Sequence, residues 1–326
     1  MTFNVRQALG QLYSDRAFDQ NRFAVSLIIT PMENANFRSA RPSDLRVLRS
    51  QMSQGAWYRL SRLLEFSCTK PEWIMLEFQD GALVAALALV APSEFNLPLE
   101  IMRVHGGPEG AIGALPLFQL AIKKAKCLGA RELYCTIPED SADAPIISAA
   151  RFRQWREVVR FESAGPIDPA VRGYRSAEVN NFKRADIIAL IEKTSEDSCD
   201  SQIEHYRRSL GAVADAELTL RMMESIRCDP RWWRVAVDAD GQTLGIILPV
   251  VAFAELTVGF IGVIPQYRGR KIASFLLAEA WSFTKGLGHS TLTAEADQRS
   301  VSMHRALTKS QFSRRSQRQE WRLELE

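Results

Sequence analysis

Between Val258 and Leu277 the chain reads V-G-F-I-G-V-I-P-Q-Y-R-G-R-K-I-A-S-F-L-L, the stretch whose residue types and spacing say most about chemistry. An apolar strand runs to Ile264 and Pro265 stops it. A basic turn from Gln266 to Lys271 then leads into a helix with Ile272, Phe275, Leu276 and Trp281 at helical spacing. A strand, a tight turn and a helix N-terminus together make an anion site. The N–H groups of the first turn lack intrahelical partners, and the helix dipole adds about 0.3–1 kcal/mol per anionic group. Gly269 has no Cβ to keep a phosphate from the backbone, and Arg268, Arg270 and Lys271 supply neutralising charge. The chemistry implied is retention of a diphosphate-bearing cofactor, largely by main chain. Neither G-x-x-x-x-G-K-[ST] nor G-x-G-x-x-G is present, which sets aside two familiar phosphate loops. The competing reading is an ordinary strand-to-helix turn with solvated arginines.

The run Gln266-Tyr267-Arg268-Gly269-Arg270-Lys271, followed by Ile272-Ala273, resembles the acyl-CoA loop [QR]-x-x-G-x-[GA] of the GNAT superfamily of N-acyltransferases. It departs from the pattern at Lys271, where the superfamily has Gly or Ala. The resemblance implies acetyl-CoA as cofactor and an acetyl transfer to a primary amine, on a small molecule or a peptide, by direct attack. It also implies that the preceding strand splays from its neighbour at a bulge, so that a pantetheine arm pairs with the main chain of Ile261, Gly262 and Val263. The diphosphate would then lie over Gln266, Arg268, Gly269, Arg270, Lys271, Ile272 and Ala273.

Acyl transfer to an amine needs a neutral nucleophile, and about one free lysine amine in 10³ is neutral at pH 7. A general base is commonly worth about 10²–10⁴-fold. Glu255 is the candidate: it opens the cofactor strand and stands fourteen residues before Gly269 (269 − 255), the spacing of the basic glutamate in some histone-acetylating GNAT members. The alternative for Glu255 is a solvated glutamate at a strand edge. A backbone N–H near Val263 is the oxyanion donor that the resemblance implies. The general acid departs from the family. Against N-x-x-A-x-x-L-Y-x-x-x-G-F, Ser300 stands at the Asn, Leu307 at the Tyr, Gln311 at the Gly and Phe312 at the Phe. A variant, N-x-P-M-x-x-x-L, keeps Met303 and Leu307, but Ser300 and Ser302 replace its Asn and Pro. Water, Ser300 or His304 remain as substitutes, with His304 expected to be solvated. A non-catalytic acyl-CoA-binding or interaction protein is the rival reading. The acidic run Glu196, Asp197, Asp200, Glu204 either faces a cationic amine or is a solvated loop, and Trp232 and Trp233 are expected in the core.

The elements that must position these residues occur twice. From Phe37 the chain shows a helix from Asp44, strands Trp73–Phe78 and Leu83–Val90 joined at Asp80-Gly81, and a strand Leu99–Val104. A helix Leu115–Leu128 ended by Gly129, a strand Arg131–Ile137, a helix Ala144–Trp155 and a strand Glu157–Phe161 follow. After a Gly- and Pro-bearing linker, Ser163 to Val171, a similar order repeats through Asp240-Gly241, the 258–277 stretch and a closing strand Glu320–Leu325. The fold class expected is therefore α/β (α+β). It comprises two tandem GNAT-like domains, each a mixed, mostly antiparallel sheet flanked by helices, in an arrangement similar to that of mycothiol synthases. The divisions are an N-terminal extension 1–36, a GNAT-like domain 37–165 and an acetyltransferase domain 175–326. In the first domain the corresponding loop, His105 to Leu115, has glycines but no arginines, and Glu109 would repel a diphosphate. That half is read as degenerate, walling the acceptor site or stabilising its partner.

Composition agrees. At 326 residues, 46% hydrophobic and 24% charged, the chain has room for two cores, and a net charge of +3 gives nucleic acid no strong pull. Five scattered cysteines without C-x-x-C, and four histidines without ligand spacing, point to reduced thiols and no metal. With no eighteen-residue apolar run and no signal-peptide core, no membrane partner and a cytoplasmic location are expected. Arg314, Arg315, Arg318 and Arg322 near the closing strand are read as solvated.

Overall fold

The computed structural model describes residues 36–65, 67–91, 99–106, 115–167, 173–226, 229–252 and 255–325. The N-terminal extension, most of the glycine-bearing loop before Leu115 with Glu109, and Cys228 lie outside the described residues. Among the described residues the chain forms two compact units, 156–318 and the remainder, 36–155 with 319–325.

The N-terminal unit contains β1 (Phe37–Ser39), α1 (Asp44–Gln51), α2 (Gln54–Glu65), β2 (Ile74–Gln79) and β3 (Ala82–Val90), then β4 (Leu99–Gly106), α3 (Leu115–Cys127), β5 (Glu132–Pro138) and α4 (Ala144–Ala149). Asp80 and Gly81, at φ +50° and +79°, both adopt the left-handed backbone that a two-residue hairpin turn needs, so β2 and β3 pair as expected. The expected helix Ala144–Trp155 is shorter, ending at Ala149. Arg151 takes φ +69° and the Phe152 N–H reaches back to the Ile147 carbonyl, closing the helix as a Schellman motif does. The residues from Arg153 onward form a strand instead. The core gathers Leu87, Leu89, Leu117, Phe118, Leu133 and Phe152, all nearly inaccessible.

The C-terminal unit takes most of β6 (Arg153–Ser163), then β7 (Arg175–Glu178), α5 (Arg184–Thr194), α6 (Ser201–Leu210), α7 (Ala212–Ser225), β8 (Arg234–Val237), β9 (Thr243–Ala252) and β10 (Glu255–Val263). It is completed by α8 (Ile272–Gly286), β11 (Leu292–Asp297), α9 (Val301–Lys309) and the first half of β12 (Ser313–Glu324). Gly211 at φ +89° separates α6 from α7. At the second Asp-Gly the turn is wider than a two-residue hairpin: Asp238 Oδ1 accepts from the N–H groups of Asp240 and Gln242. The strand order in this unit is β12-β6-β11-β10-β9-β8-β7, antiparallel at β10–β9 and β11–β6 and parallel at β10–β11. Leu256, Val258, Leu292, Ala294, Val159 and Phe161 pack on one face with Ile272, Leu276 and Leu277 of α8. In the N-terminal unit the order is β1-β2-β3-β4-β5-β12, and β4 runs parallel to β5 over Leu99–Ile101. Each unit is thus a mixed, mostly antiparallel sheet with flanking helices, as the fold expectation had it.

The division between units falls inside strands. Residues 156–163, from before the second set of elements, pair with β11 in the C-terminal unit, and residues 319–325 lie with β5 in the N-terminal unit. There Trp321 packs in the core, Arg322 pairs with Glu132, and the Leu325 N–H donates to the Arg131 carbonyl at 2.8 Å.

Candidate functional site

The site is made by two parallel strands that part. β10 pairs with β11 only over Leu256–Val258 against Leu292–Ala294. β11 continues alongside β6 to Asp297, while β10 stays with β9 through Val263, its register slipping at Gly259. From Phe260 to Val263 one edge of β10 is therefore free among the described residues, facing a wedge. Small residues let helices press on this strand. A Cβ on Gly259 would lie 2.5 Å from Met223 Sδ of α7, and one on Gly262 would lie 2.5 Å from both Cβ and Oγ1 of Thr194 at the end of α5. β4 and β5 of the N-terminal unit part in the same way after Ile101, with the register slip at Val104.

Beyond β10, Pro265–Tyr267 makes a short 3₁₀ turn, and the loop then takes two left-handed residues, Gly269 at φ +80° and Lys271 at φ +63°. Nothing lies within 4 Å of a Cβ built on Gly269, so the space above it is open. Ile272 is buried and anchors α8, whose first-turn N–H groups lack intrahelical partners. Gln266, Gly269, Arg270 and Lys271 are exposed. The Arg270 guanidinium lies 5.2 Å above the Tyr267 ring, and the Arg270 carbonyl accepts from the Tyr174 hydroxyl at 3.2 Å. Tyr267 itself packs against the core, a structural role.

Arg268 makes main-chain contacts of its own. Its Nε donates to the Val263 carbonyl at 3.1 Å, and its Nη2 to the carbonyls of Thr194 at 3.1 Å and Glu196 at 2.5 Å. The guanidinium faces the C-terminal end of α5, where exposed carbonyls and the helix dipole attract a cation. Arg268 is exposed, as are Arg270 and Lys271, so all three keep their formal charge beside the open loop.

Glu255 opens β10, and its Oε2 is paired with Arg160 Nη2 at 2.7 Å. Four residues along a strand at about 3.3 Å each put it about 13 Å from the slip at Gly259. Arg160 is buried, and next to it Arg318, 2% exposed, holds Glu295 in a fork at 2.5 and 2.9 Å. Thr257 and Thr293 share this sheet face, each hydroxyl donating to the neighbouring strand. The face opposite α8 is therefore lined by a buried polar ladder that the sequence did not announce, because its members sit on four strands.

Across the wedge, Ser300 precedes α9, and its hydroxyl makes no capping bond to that helix. His304 is half-buried rather than solvated: its Nε2 lies 2.9 Å from the Asp297 carbonyl and its ring meets Phe161 edge-on at 5.1 Å. Leu307, at the family's tyrosine position, is 1% exposed in the core. Asp297 is the residue missed by sequence reasoning. Buried at the end of β11, it accepts the Ser201 N–H at 2.9 Å and the Arg299 N–H at 2.8 Å, fastening the start of α6. Two members of the acidic run are engaged in the same way, while Glu196 and Asp197 are exposed. Asp200 caps α6 through the N–H groups of Gln202 and Ile203 and lies 3.4 Å from Arg156, while Glu204 pairs with Arg299. Burial raises the Asp200 carboxyl above its ordinary range, with Arg156 opposing and Asp297 adding to the rise.

Trp233 is buried with its Nε1 on the Pro249 carbonyl, as expected of a core residue. Arg318 and Arg322 are largely buried against carboxylates rather than solvated, whereas Arg314 and Arg315 are exposed as expected, Arg315 while pairing with Glu162. Cys68 and Cys135 are buried, whereas Cys127 and Cys199 are exposed; these four are free thiols. Among the described residues no helix is long and apolar enough to cross a membrane, and no group of His, Cys, Asp and Glu is placed to hold a metal.

No protein-family model and no curated protein sequence matches the chain. Solved structures do. A GCN5-related N-acetyltransferase from Sphaerobacter thermophilus superposes with a TM-score of 0.60 at 18% identity, over 88% of this chain and 95% of its own. A GCN5-related N-acetyltransferase from Kribbella flavida gives 0.51 at 10% identity, over 74% and 87%. A tandem GNAT protein from the clavulanic acid biosynthesis pathway gives 0.50 at 15% identity, over 77% and 82%. The chain therefore has the GNAT fold in tandem. The likeness to mycothiol synthases rests on element order alone.

Proposed function

We propose that the C-terminal unit is an acetyl-CoA-dependent N-acetyltransferase acting on a primary amine. The observation that carries this reading is the parting of β10 from β11 directly before a loop with two left-handed residues and an open helix N-terminus. The residues fit the group: the free edge of Phe260–Val263 offers main-chain donors and acceptors to pantetheine, and a Cβ-less Gly269 under open space admits a diphosphate. Ile261, Gly262 and Val263 would hold the arm. Gly269, Arg270 and Lys271 would hold the diphosphate with the N–H groups of Ile272 and Ala273, and Gln266 flanks it. Acetyl-CoA would supply an acyl carbon activated by its thioester.

The chain's own residues do the rest. Glu255, fixed by Arg160, removes a proton from the acceptor ammonium through water, since it lies at the far end of β10, about 13 Å from where the free edge begins. A main-chain N–H of the free edge near Val263 faces the oxyanion. As the amine nitrogen bonds to the acyl carbon and the carbon–sulfur bond breaks, Ser300 or a water it holds returns a proton to the thiolate. Glu255→Gln should lower turnover by about 10²–10⁴-fold while leaving cofactor affinity unchanged.

A second reading, a non-catalytic acyl-CoA-binding protein, is favoured by one observation: Leu307, at the tyrosine position, is buried in the core. Calorimetry with acetyl-CoA on the wild type and on Arg270→Ala/Lys271→Ala, followed by an amine screen that monitors free thiol, separates the two. Binding to one site, weakened in the double variant, with thiol release on some amine, supports the enzyme. Binding without release on any amine supports the second reading, and absence of binding removes both.

A further inference from the structure

On the face opposite α8, two buried arginines each reach across a strand. Arg318 of β12 passes over β6 to Glu295 of β11, and its guanidinium holds both carboxylate oxygens. Arg160 of β6 passes over β11 to Glu255 of β10, its Nη2 donating to Oε2 at 2.7 Å. Yet the carboxylate directly opposite Arg160 in the β6–β11 register is Glu295. Opposite charges facing each other on adjacent strands are the pairs a sheet forms most readily. Here the nearer carboxylate is occupied by Arg318, and Arg160 extends to the farther one. Arg160 and Arg318 are 8% and 2% exposed. The Glu255 side chain, by contrast, is 43% exposed, and its Oε1 takes no hydrogen bond among the described residues.

Resting on the acetyltransferase reading above, we propose that Arg160 is the positioning residue of Glu255, and that Arg318, by occupying Glu295, keeps Arg160 extended to it. A half-exposed glutamate at the first residue of a strand has several rotamers open to it in solvent. Anchored through Oε2 by a donor that is itself fixed in the sheet, it presents Oε1 to one place. A proton then leaves the acceptor ammonium for a water, and a water proton passes to Oε1. One N–H bond breaks, one O–H bond forms, and the amine lone pair is free to attack. A guanidinium suits this task because it is long, planar and always charged. Without Arg318, Glu295 is a buried carboxylate directly opposite Arg160 and draws that guanidinium away from Glu255.

The test is a pair of mutant cycles in the full chain, read by thiol release on an amine from the screen and by calorimetric Kd for acetyl-CoA. The first cycle is Arg160→Met with Glu255→Gln. Misplacing a catalytic group by about 1 Å costs about 10²-fold, so Arg160→Met should lower kcat about 10–100-fold, with Kd within about twofold of wild type. In the Glu255→Gln background the same change should cost less than about threefold, because no base is left to position. The second cycle is Arg318→Met with Glu295→Gln. Arg318→Met should lower kcat about tenfold, and adding Glu295→Gln, which removes the competing charge, should recover most of it. An Arg160→Met loss that is as large in the Glu255→Gln background, or no loss at all, overturns the assignment and leaves the acetyltransferase reading standing. So does a Glu255→Gln protein that turns over like wild type. If Glu295→Gln does not restore Arg318→Met, the part given to Arg318 fails. Absence of thiol release from the wild type on every amine overturns the acetyltransferase reading and the assignment with it. If Arg160→Met does not fold, Arg160→Gln takes its place, and if Arg318→Met does not fold, the first cycle decides.

Discussion

Gly262→Ala gives the sharpest test of how the wedge is built. A Cβ there would sit 2.5 Å from both Cβ and Oγ1 of Thr194, which is 5% exposed and ends α5. Carbon pairs settle at about 3.5–4.0 Å, so α5 and β10 must separate by about 1 Å or more, against a packed core that resists it. Overpacking of this kind costs about 1–3 kcal/mol. Because the displaced strand carries the free edge, acetyl-CoA affinity should fall as well. The contact also predicts which second change relieves it. Thr194→Ala removes Oγ1 but leaves the Cβ contact, so it should not rescue. Thr194→Gly removes both, and the double variant should recover stability apart from the cost of a glycine near a helix end, up to about 1 kcal/mol. Urea denaturation of the four proteins, with calorimetry of each, measures both effects. Wild-type stability in Gly262→Ala, or rescue by Thr194→Ala as complete as by Thr194→Gly, would refute the reasoning.

Two other perturbations follow from backbone and charge. Lys271 holds φ +63° where a side chain is costly, so Lys271→Gly should stabilise the fold by about 0.5–1 kcal/mol yet weaken acetyl-CoA binding severalfold at low salt, as thermal melts and calorimetry would record. Asp215, 4% exposed in the first turn of α7, has its carboxyl pushed up to about 6 by burial, with Arg207 lowering it and Asp200 adding to the rise. A folded pKa above the unfolded value means that the neutral acid is favoured by the fold, and that this stability is lost as pH rises through about 6. Asp215→Asn should therefore be more stable than wild type by about 1–2 kcal/mol at pH 7.5, the gap closing below about pH 4; denaturant titrations at the two pH values check it.

What could be read from sequence was local. The strand, loop and helix around Gly269 are consecutive, and so are the residues that make Asp80-Gly81 a turn and Gly129 a helix end, so their chemistry is written in one stretch. Arg268 was legible as a cation but not as a brace, because the carbonyls it holds belong to a helix far earlier in the chain. The Asp200 and Glu204 carboxylates read either as a surface for an amine or as a solvated loop, yet Arg156 of β6 and Arg299 of the turn after β11, both far off in the chain, engage them. His304 looked solvated for the same reason: Phe161, the ring it rests on, lies in β6. The register slip at Gly259 depends on what β9 and β11 each pair with, which no single segment encodes. The helix Gln54–Glu65 was passed over because Gln54, Gly55 and Ser61 interrupt its apolar pattern.

The interchange of strands has a consequence for how the protein is made. A ribosome that has released Trp155 has completed most of the N-terminal unit, but residues 319–325, which lie beside β5, are still about 170 residues away (325 − 155). At roughly 5–20 residues per second, that is about 10–35 s during which one edge of β5 has no strand beside it. An unpaired edge is a template for pairing with another chain. Glu132 on that edge is later matched by Arg322, and until then its charge is a guard against such pairing. Neither half of this chain can be finished by itself: the N-terminal unit is sealed by residues synthesised after most of the C-terminal unit, and the C-terminal unit is built on a strand translated before the rest of it.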